Sequence, residues 1–283
     1  MKLVLIYITF IIIITFIGLS SCTERIDIDL DSDRIRLVVE GNITDIEGDN
    51  FVKLTETADY FSSTAPKTVG NAELIIRNGD QTFTLLESNT EAGLYKMPQG
   101  FIGVQGETYE LKINLENEVG GHKEYNAQTT MPLLSDDIDS VTVEWFERFK
   151  GWSVRLYAQE PPRVDFYMFN GIRNGVLITD SIHEVNISDD RLYNGNYTNG
   201  AIVLLFNEEQ LETGDIFTLV LSNITKEYAS FVNELQTEIQ FKEPMFSGPP
   251  ANVSSNISNG AAGWFTAYPS AFTTTIVKEI PVE

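Results

Sequence analysis

The sequence predicts a mainly β protein with a single helix, and three observations carry that prediction. Apolar and polar residues alternate in short runs along most of the chain, the pattern of half-buried strands. Turn signals such as Asn78-Gly79-Asp80 and Asn174-Gly175 fall between runs, where residues that tolerate positive φ can close a hairpin. One segment, ITKEYASFVNELQTEI from Ile224 to Ile239, changes to helical spacing.

The first 22 residues stand apart from this pattern. Lys2 supplies a positive start, an apolar run extends from Leu3 to Leu19, and small residues lead to Cys22, the only cysteine of the 283 residues. The run is long enough to cross a bilayer, but Leu19-Ser20-Ser21-Cys22 fits the lipobox of bacterial lipoproteins. Residues 1–22 are therefore expected to be a lipoprotein signal peptide and Cys22 the lipidated residue. Its thiolate takes the diacylglycerol group, and several buried acyl chains at roughly 0.8 kcal/mol per methylene make a firm anchor. With that thiol consumed, the mature body has no disulfide, thiolate metal site or cysteine nucleophile.

Residues 23–34 crowd Glu24, Asp27, Asp29, Asp31 and Asp33 into an acidic tether. The alternating carboxylates lack the glycine turn and closing glutamate of an EF-hand loop, which argues against calcium there. From Ile35 the period becomes two: Ile35, Leu37, Val39 and Ile43 share one face. Further runs follow at 51–57, 72–77, 82–87, 94–97, 108–115 and 123–131, so seven short strands fill residues 35–132. That count and spacing predict an immunoglobulin-like or transthyretin-like β-sandwich. Met131-Pro132-Leu133-Leu134-Ser135-Asp136-Asp137 interrupts the alternation and places a boundary after residue 132. A second β-rich domain is expected over 133–283, with strands at 140–147, 152–159, 164–170, 176–180, 201–207 and 215–222. The helix falls near 225–240, with Ser222, Asn223 or Thr225 as its cap and an apolar stripe for packing on the second sheet. A Pro, Gly, Ser and Asn-rich stretch from 244 to 263 reads as loop, and runs at 264–268 and 271–277 read as closing strands.

Charge and motif content narrow the function. The formal net charge is −22, and it becomes one unit more negative when Lys2 leaves with the leader. A phosphate backbone is repelled by such a surface, so no nucleic-acid partner is expected. His122 and His183 are the only histidines, no GxSxG or HExxH motif occurs, and no glycine-rich phosphate loop opens a helix. The 41 acidic residues could supply a glycosidase pair, but number alone does not make one. No catalytic residue, metal site or cofactor is assigned. Six N-x-S/T triplets, at Asn42, Asn186, Asn196, Asn223, Asn252 and Asn256, are read as chance matches. Aromatic residues are frequent in the second half, where most should fill a core. The loops 189–200 and 243–263 are long for simple connections, which makes Tyr193, Tyr197, Phe246 and Trp264 the candidate binding residues.

The order of several segments carries a family resemblance. After the lipobox come IDIDLDSDRIRLVVEGNITD, LTETADYFSS, GETYELKI, MPLLSDDIDSV, ITKEYASFVNEL and ANVSSNISNGAAGWF. In this order the chain resembles the Bacteroidota outer-membrane lipoprotein family known as domain of unknown function 4249. The resemblance spans essentially the whole mature chain, and its motifs carry no catalytic residue to transfer. It implies a lipid-anchored outer-membrane protein, on the cell surface or facing the periplasm, often encoded beside a TonB-dependent transporter. Such lipoproteins often carry acidic residues behind the acylated cysteine when they are sent to the outer face, so an export label stands beside a plain solvated tether as the reading of residues 23–34. The expected function is therefore non-catalytic: an accessory or binding subunit of a TonB-dependent barrel, held to outer-membrane lipid through Cys22. The alternatives are a surface adhesin or glycan-binding lipoprotein and, behind it, a carboxylate-dependent glycan hydrolase.

Overall fold

A computed structural model describes residues 35–58, 65–134, 138–240 and 253–278. Cys22, the tether at 23–34 and Phe246 lie outside the described residues. In chain order the first strands are β1 (Leu37–Thr44), β2 (Phe51–Glu56), β3 (Glu73–Asn78), β4 (Gln81–Thr84), β5 (Leu86–Glu87), β6 (Leu94–Lys96), β7 (Thr108–Val119) and β8 (His122–Thr130). Then come β9 (Ile138–Phe146), β10 (Gly151–Ala158), β11 (Phe166–Arg173), β12 (Val176–Leu177), β13 (Asn186–Asp189), β14 (Ala201–Asn207) and β15 (Ile216–Ile224). The helix α1 (Lys226–Gln240) precedes β16 (Ala262–Tyr268) and β17 (Ser270–Ile276). The protein is mainly β, with several sheets and one α-helix among the described residues.

Two sheets feed the first core. One has the order β16-β1-β2-β6-β5 and the other β4-β3-β7-β8. Leu37, Val39 and Ile43 of β1 point inward together, as their spacing predicts, and all three are fully buried, but Ile35, expected on the same face, precedes the strand and is exposed. Leu74 and Ile76 of β3, and Tyr109, Leu111 and Ile113 of β7, join them in one cluster. Burying each such side chain contributes roughly 1.5–3 kcal/mol, so the inward faces of β1, β3 and β7 hold these sheets together; β3 and most of β7 alternate, whereas β1 is buried throughout from Gly41 to Thr44. The predicted strand at 82–87 is split: β4 pairs with β3, whereas β5 pairs with β6 in the other sheet. The break falls at buried Leu85, whose N–H donates to the Leu74 carbonyl at 3.0 Å.

The second core also draws on two sheets, β14-β10-β9 and β12-β11-β15-β17, with β13 added on β11. Trp152, Val154 and Leu156 of β10 meet Tyr167 and Phe169 of β11 and Phe217 and Leu219 of β15. Trp152 packs edge-on against Trp145 at 5.5 Å between ring centroids, and its indole N–H donates to the Glu208 carbonyl. Much of the aromatic excess of this half is thus core. The two expected hairpins differ in detail. Asn174 and Gly175 both take positive φ, 49° and 84°, as a two-residue type I′ turn requires. In the other, Asn78 pairs with Gln81, so the turn is Gly79-Asp80, shifted by one residue, and among these only Gly79 has positive φ.

The helix begins where expected, because the Thr225 hydroxyl accepts the Tyr228 N–H at 3.2 Å and caps the first turn. Ala229 packs on Met168 and Ile224, with Tyr228, Phe166 and Ile187 around them. Ser222 and Asn223 are instead buried members of β15.

Met131 belongs to the first core and Leu134 packs against the second, so the chain passes between them where the sequence interrupts its alternation. The C-terminal strands reach both. β16 lies parallel to β1 in the first sheet, with Val38 opposite Ala262 and Thr44 opposite Tyr268. After Pro269, β17 pairs antiparallel with β15 around the second core. Ile257, Ala261, Phe265 and Ala267 accordingly fill the first core although they follow residue 132 by more than a hundred positions. Ile35–Glu283 forms one compact unit.

Candidate functional site

The chain turns sharply between β10 and β11, through Gln159-Glu160-Pro161-Pro162-Arg163-Val164-Asp165. Pro161 and Pro162 have no N–H to offer a ladder, so the strand must end there. The loop 189–200 folds over this corner. The Asp190 carbonyl accepts the N–H groups of Tyr193 and Asn194 at 2.7 Å each, and the Asn196 carbonyl accepts the Glu160 N–H at 3.0 Å. The Thr198 hydroxyl donates to the Leu156 carbonyl and accepts the Ala158 N–H, fastening the far end of the loop to β10. Asn194 Nδ2 donates to the Arg163 carbonyl at 3.0 Å.

Three carboxylates converge beneath the loop. Glu160, Asp165 and Asp190 are all buried, and one oxygen from each lies within 4.8 Å of the others. The pairing of β13 with β11, which sets Asp189 opposite Phe166, brings Asp165 and Asp190 together. The Asp165 N–H donates to Asp190 Oδ2 at 3.0 Å, and the Asp190 N–H donates to the Asp165 carbonyl at 3.3 Å. The Tyr167 hydroxyl, rising from β11, donates to Glu160 Oε2 at 2.7 Å. Arg163 Nε contacts both oxygens of Asp165, at 2.9 and 2.8 Å, while its Nη2 donates to the carbonyls of Leu133 and Leu134. The corner is therefore tied to the segment that joins the two cores.

Burial pushes the Glu160 carboxyl above the ordinary carboxylate range. The charges of Asp190 and Asp165 push the same way, against the Tyr167 hydrogen bond and the Arg163 charge. Asp190 Oδ1 is buried with no hydrogen-bond partner. An all-oxygen set of this kind suits a proton or a hard cation; it has no nitrogen or sulfur for a softer metal. It does not match a glycosidase pair, whose carboxyl groups flank an open cleft about 5 to 9.5 Å apart. The sequence gives little sign of this cluster, since its members look like any other acids and Asp190 is 25 positions from Asp165.

Tyr193 is half-buried at the base of the same loop and Tyr197 is 43% exposed on it. Tyr197 faces Gln159 across an isolated bridge, and its hydrogen bond to Asp139 holds the phenol above its usual pKa. Leu192, at the tip, is 84% exposed. Trp264 sits elsewhere, half-buried on β16 and stacked on Phe231 of α1 at 5.0 Å. Tyr193 and Tyr197 thus share one loop, and Trp264 lies on β16 against the helix.

Both histidines lie on the surface. Of the N-x-S/T asparagines, Asn42 and Asn223 are buried. A groove of about 550 Å³ runs along β7 and β8 past Arg77, Lys112, Gln128 and Asn256, and it shares no residue with the acidic cluster. No helix among the described residues is long and apolar enough to cross a membrane.

No curated protein matches this chain. A family model described as "Domain of unknown function (DUF4249)" matches residues 23–274, which takes in both cores, the helix, the 159–165 corner and the 189–200 loop. With its match running over nearly the whole chain from the residue after Cys22, this protein belongs to the DUF4249 family.

Proposed function

We propose that this chain is a non-catalytic lipoprotein of the cell envelope, anchored in the outer membrane through acylated Cys22 and exposed at the cell surface. In this reading it is an accessory or binding subunit of a TonB-dependent outer-membrane transporter. The observation that carries the reading is the junction at residue 22: a lipobox cysteine stands immediately before the family match, which begins at residue 23. The 189–200 loop supports a binding role, because it presents Leu192 and Tyr197 to solvent on a base fixed by backbone hydrogen bonds. The transporter follows from the family resemblance.

The test is isolation of the full-length chain from membranes in mild detergent. A TonB-dependent barrel should co-purify with the wild-type chain, whose mass should show a cleaved leader and an acylated Cys22, and Cys22→Ser should lack the acyl mass and keep the leader. Recovery as a lone chain would overturn the transporter assignment, and would favour the adhesin or glycan-binding alternative if a deletion strain lost attachment but kept nutrient growth. A wild-type chain whose Cys22 thiol is unmodified, or whose leader is still attached, would overturn the anchor.

A further inference from the structure

We propose that Glu160, Asp165 and Asp190 form a buried site for a hard divalent cation of the calcium type, which pins the 189–200 loop to the β10–β11 corner. Two independent observations meet here. The first is charge: three buried carboxylates meet one guanidinium, that of the part-exposed Arg163 on Asp165, and among the described residues Glu160 and Asp190 have no ion pair. The second is Asp190 itself, which is 2% exposed. Its Oδ2 is occupied by the Asp165 N–H, whereas Oδ1 is buried in the cluster without a donor. A buried ionised oxygen with no donor is rare in native proteins and points to an ion or water that satisfies it.

The distances suit this ion. Oxygens bound to one calcium at about 2.3 to 2.6 Å can lie up to about 5 Å apart across it, and those of the cluster lie within 4.8 Å of one another. Magnesium requires shorter, near-octahedral bonds and keeps several waters, which fits a crowded carboxylate cage less well. A proton on Glu160 is the rival. Carried on Oε1 while Oε2 accepts from Tyr167, it cancels one charge without any metal, and the calcium titration separates the two. Bridging by a cation would cross-link residues that belong to separate elements: Glu160 follows β10, Asp165 precedes β11 and Asp190 follows β13. The site would thereby set the pose of Tyr193 and Tyr197. It rests on side-chain geometry alone, so failure of the transporter assignment leaves it standing, and the reverse also holds.

The test uses the full chain in detergent at neutral pH, stripped with a chelator and held in physiological salt with excess magnesium to mask weak binding to so acidic a surface. Calcium should bind once per chain in equilibrium dialysis. It should raise the unfolding midpoint by roughly 5 to 10 °C at a hundredfold excess over the dissociation constant. Asp190→Asn, which keeps the shape and removes the charge, should abolish both effects, and Glu209→Gln, at an exposed acid, should keep both. No calcium-dependent shift in the wild-type chain, or an equal shift in Asp190→Asn, overturns the site. If Asp190→Asn does not fold, terbium decides on the wild-type chain: emission sensitised by Tyr167 and displaced by calcium is expected, and its absence overturns the site.

Discussion

At the scale of the residue, a single backbone position decides whether β16 can lie against β1. Gly263 stands opposite Val39 with φ of 91°, and a Cβ built on it would fall 2.1 Å from the Val39 carbonyl oxygen. Neither the conformation nor the space accepts a side chain, and the obstacle is backbone that cannot swing aside. Gly263→Ala is expected to cost more than about 3 kcal/mol, read as a lower denaturant midpoint. A loss below about 1 kcal/mol would show that the parallel pairing contributes little. This requirement was hidden in the sequence, where Gly263 closes a stretch that looks like ordinary loop. The acidic cluster was hidden for a different reason. Its chemistry depends on a pairing between β11 and β13, and NISD, the β13 segment, is too short and too polar to announce a strand. The reasoning that aromatic residues in or beside a long polar loop have no core to enter selected Tyr193, Tyr197 and Trp264 alike, and Trp264 stacks on the helix.

At the scale of the element, α1 was the most legible feature, because a 3.6-residue period and a capping threonine act locally and need no knowledge of the partner sheet. The face it packs against was not legible. Tyr228 stacks with Phe231 and Tyr268, at 6.0 and 6.5 Å between centroids, and meets Trp264 at a tilt at 6.4 Å, so the helix and β16 share one aromatic layer. Burial pushes the Tyr228 hydroxyl up to about 12, with a smaller push from Glu40, and burial drives Tyr268 upward as well. A phenol whose pKa is higher folded than unfolded stabilises the fold fully below the unfolded value of about 10, and that contribution is lost as the pH rises through about 12. The phenolate absorbance of these two tyrosines is therefore expected to appear only as the helix detaches, in step with the loss of helical ellipticity. Tyr228→Phe should unfold at a higher pH than the wild-type chain. Titration of Tyr228 near pH 10 with the fold intact would contradict the packing of this layer.

At the scale of the whole molecule, the alternating runs made the β content readable and the break at Met131–Leu134 located the passage between cores. The closure of the fold is non-local: β1 and β16 are more than two hundred residues apart, and nothing in either run specifies a parallel partner. The consequence bears on independence. The first core contains Phe265, fully buried, together with Ile257, Ala261 and Ala267, so a fragment ending at residue 132 lacks part of its own interior and leaves β1 with an open edge. The second core in turn relies on β17, which follows β16 after the single residue Pro269, and the Ser270 N–H donates to Asp45 Oδ1 beyond β1 at 2.9 Å. Removing either end of that strand pair removes support from the other. Residues 35–132 expressed alone should accordingly lack a cooperative unfolding transition and show poor amide dispersion, and the chain from residue 35 onward should unfold in one transition. A fragment 35–132 that melts sharply, or a full body that melts in two well-separated steps, would mean that each core is self-sufficient and that the C-terminal strands decorate rather than close the fold.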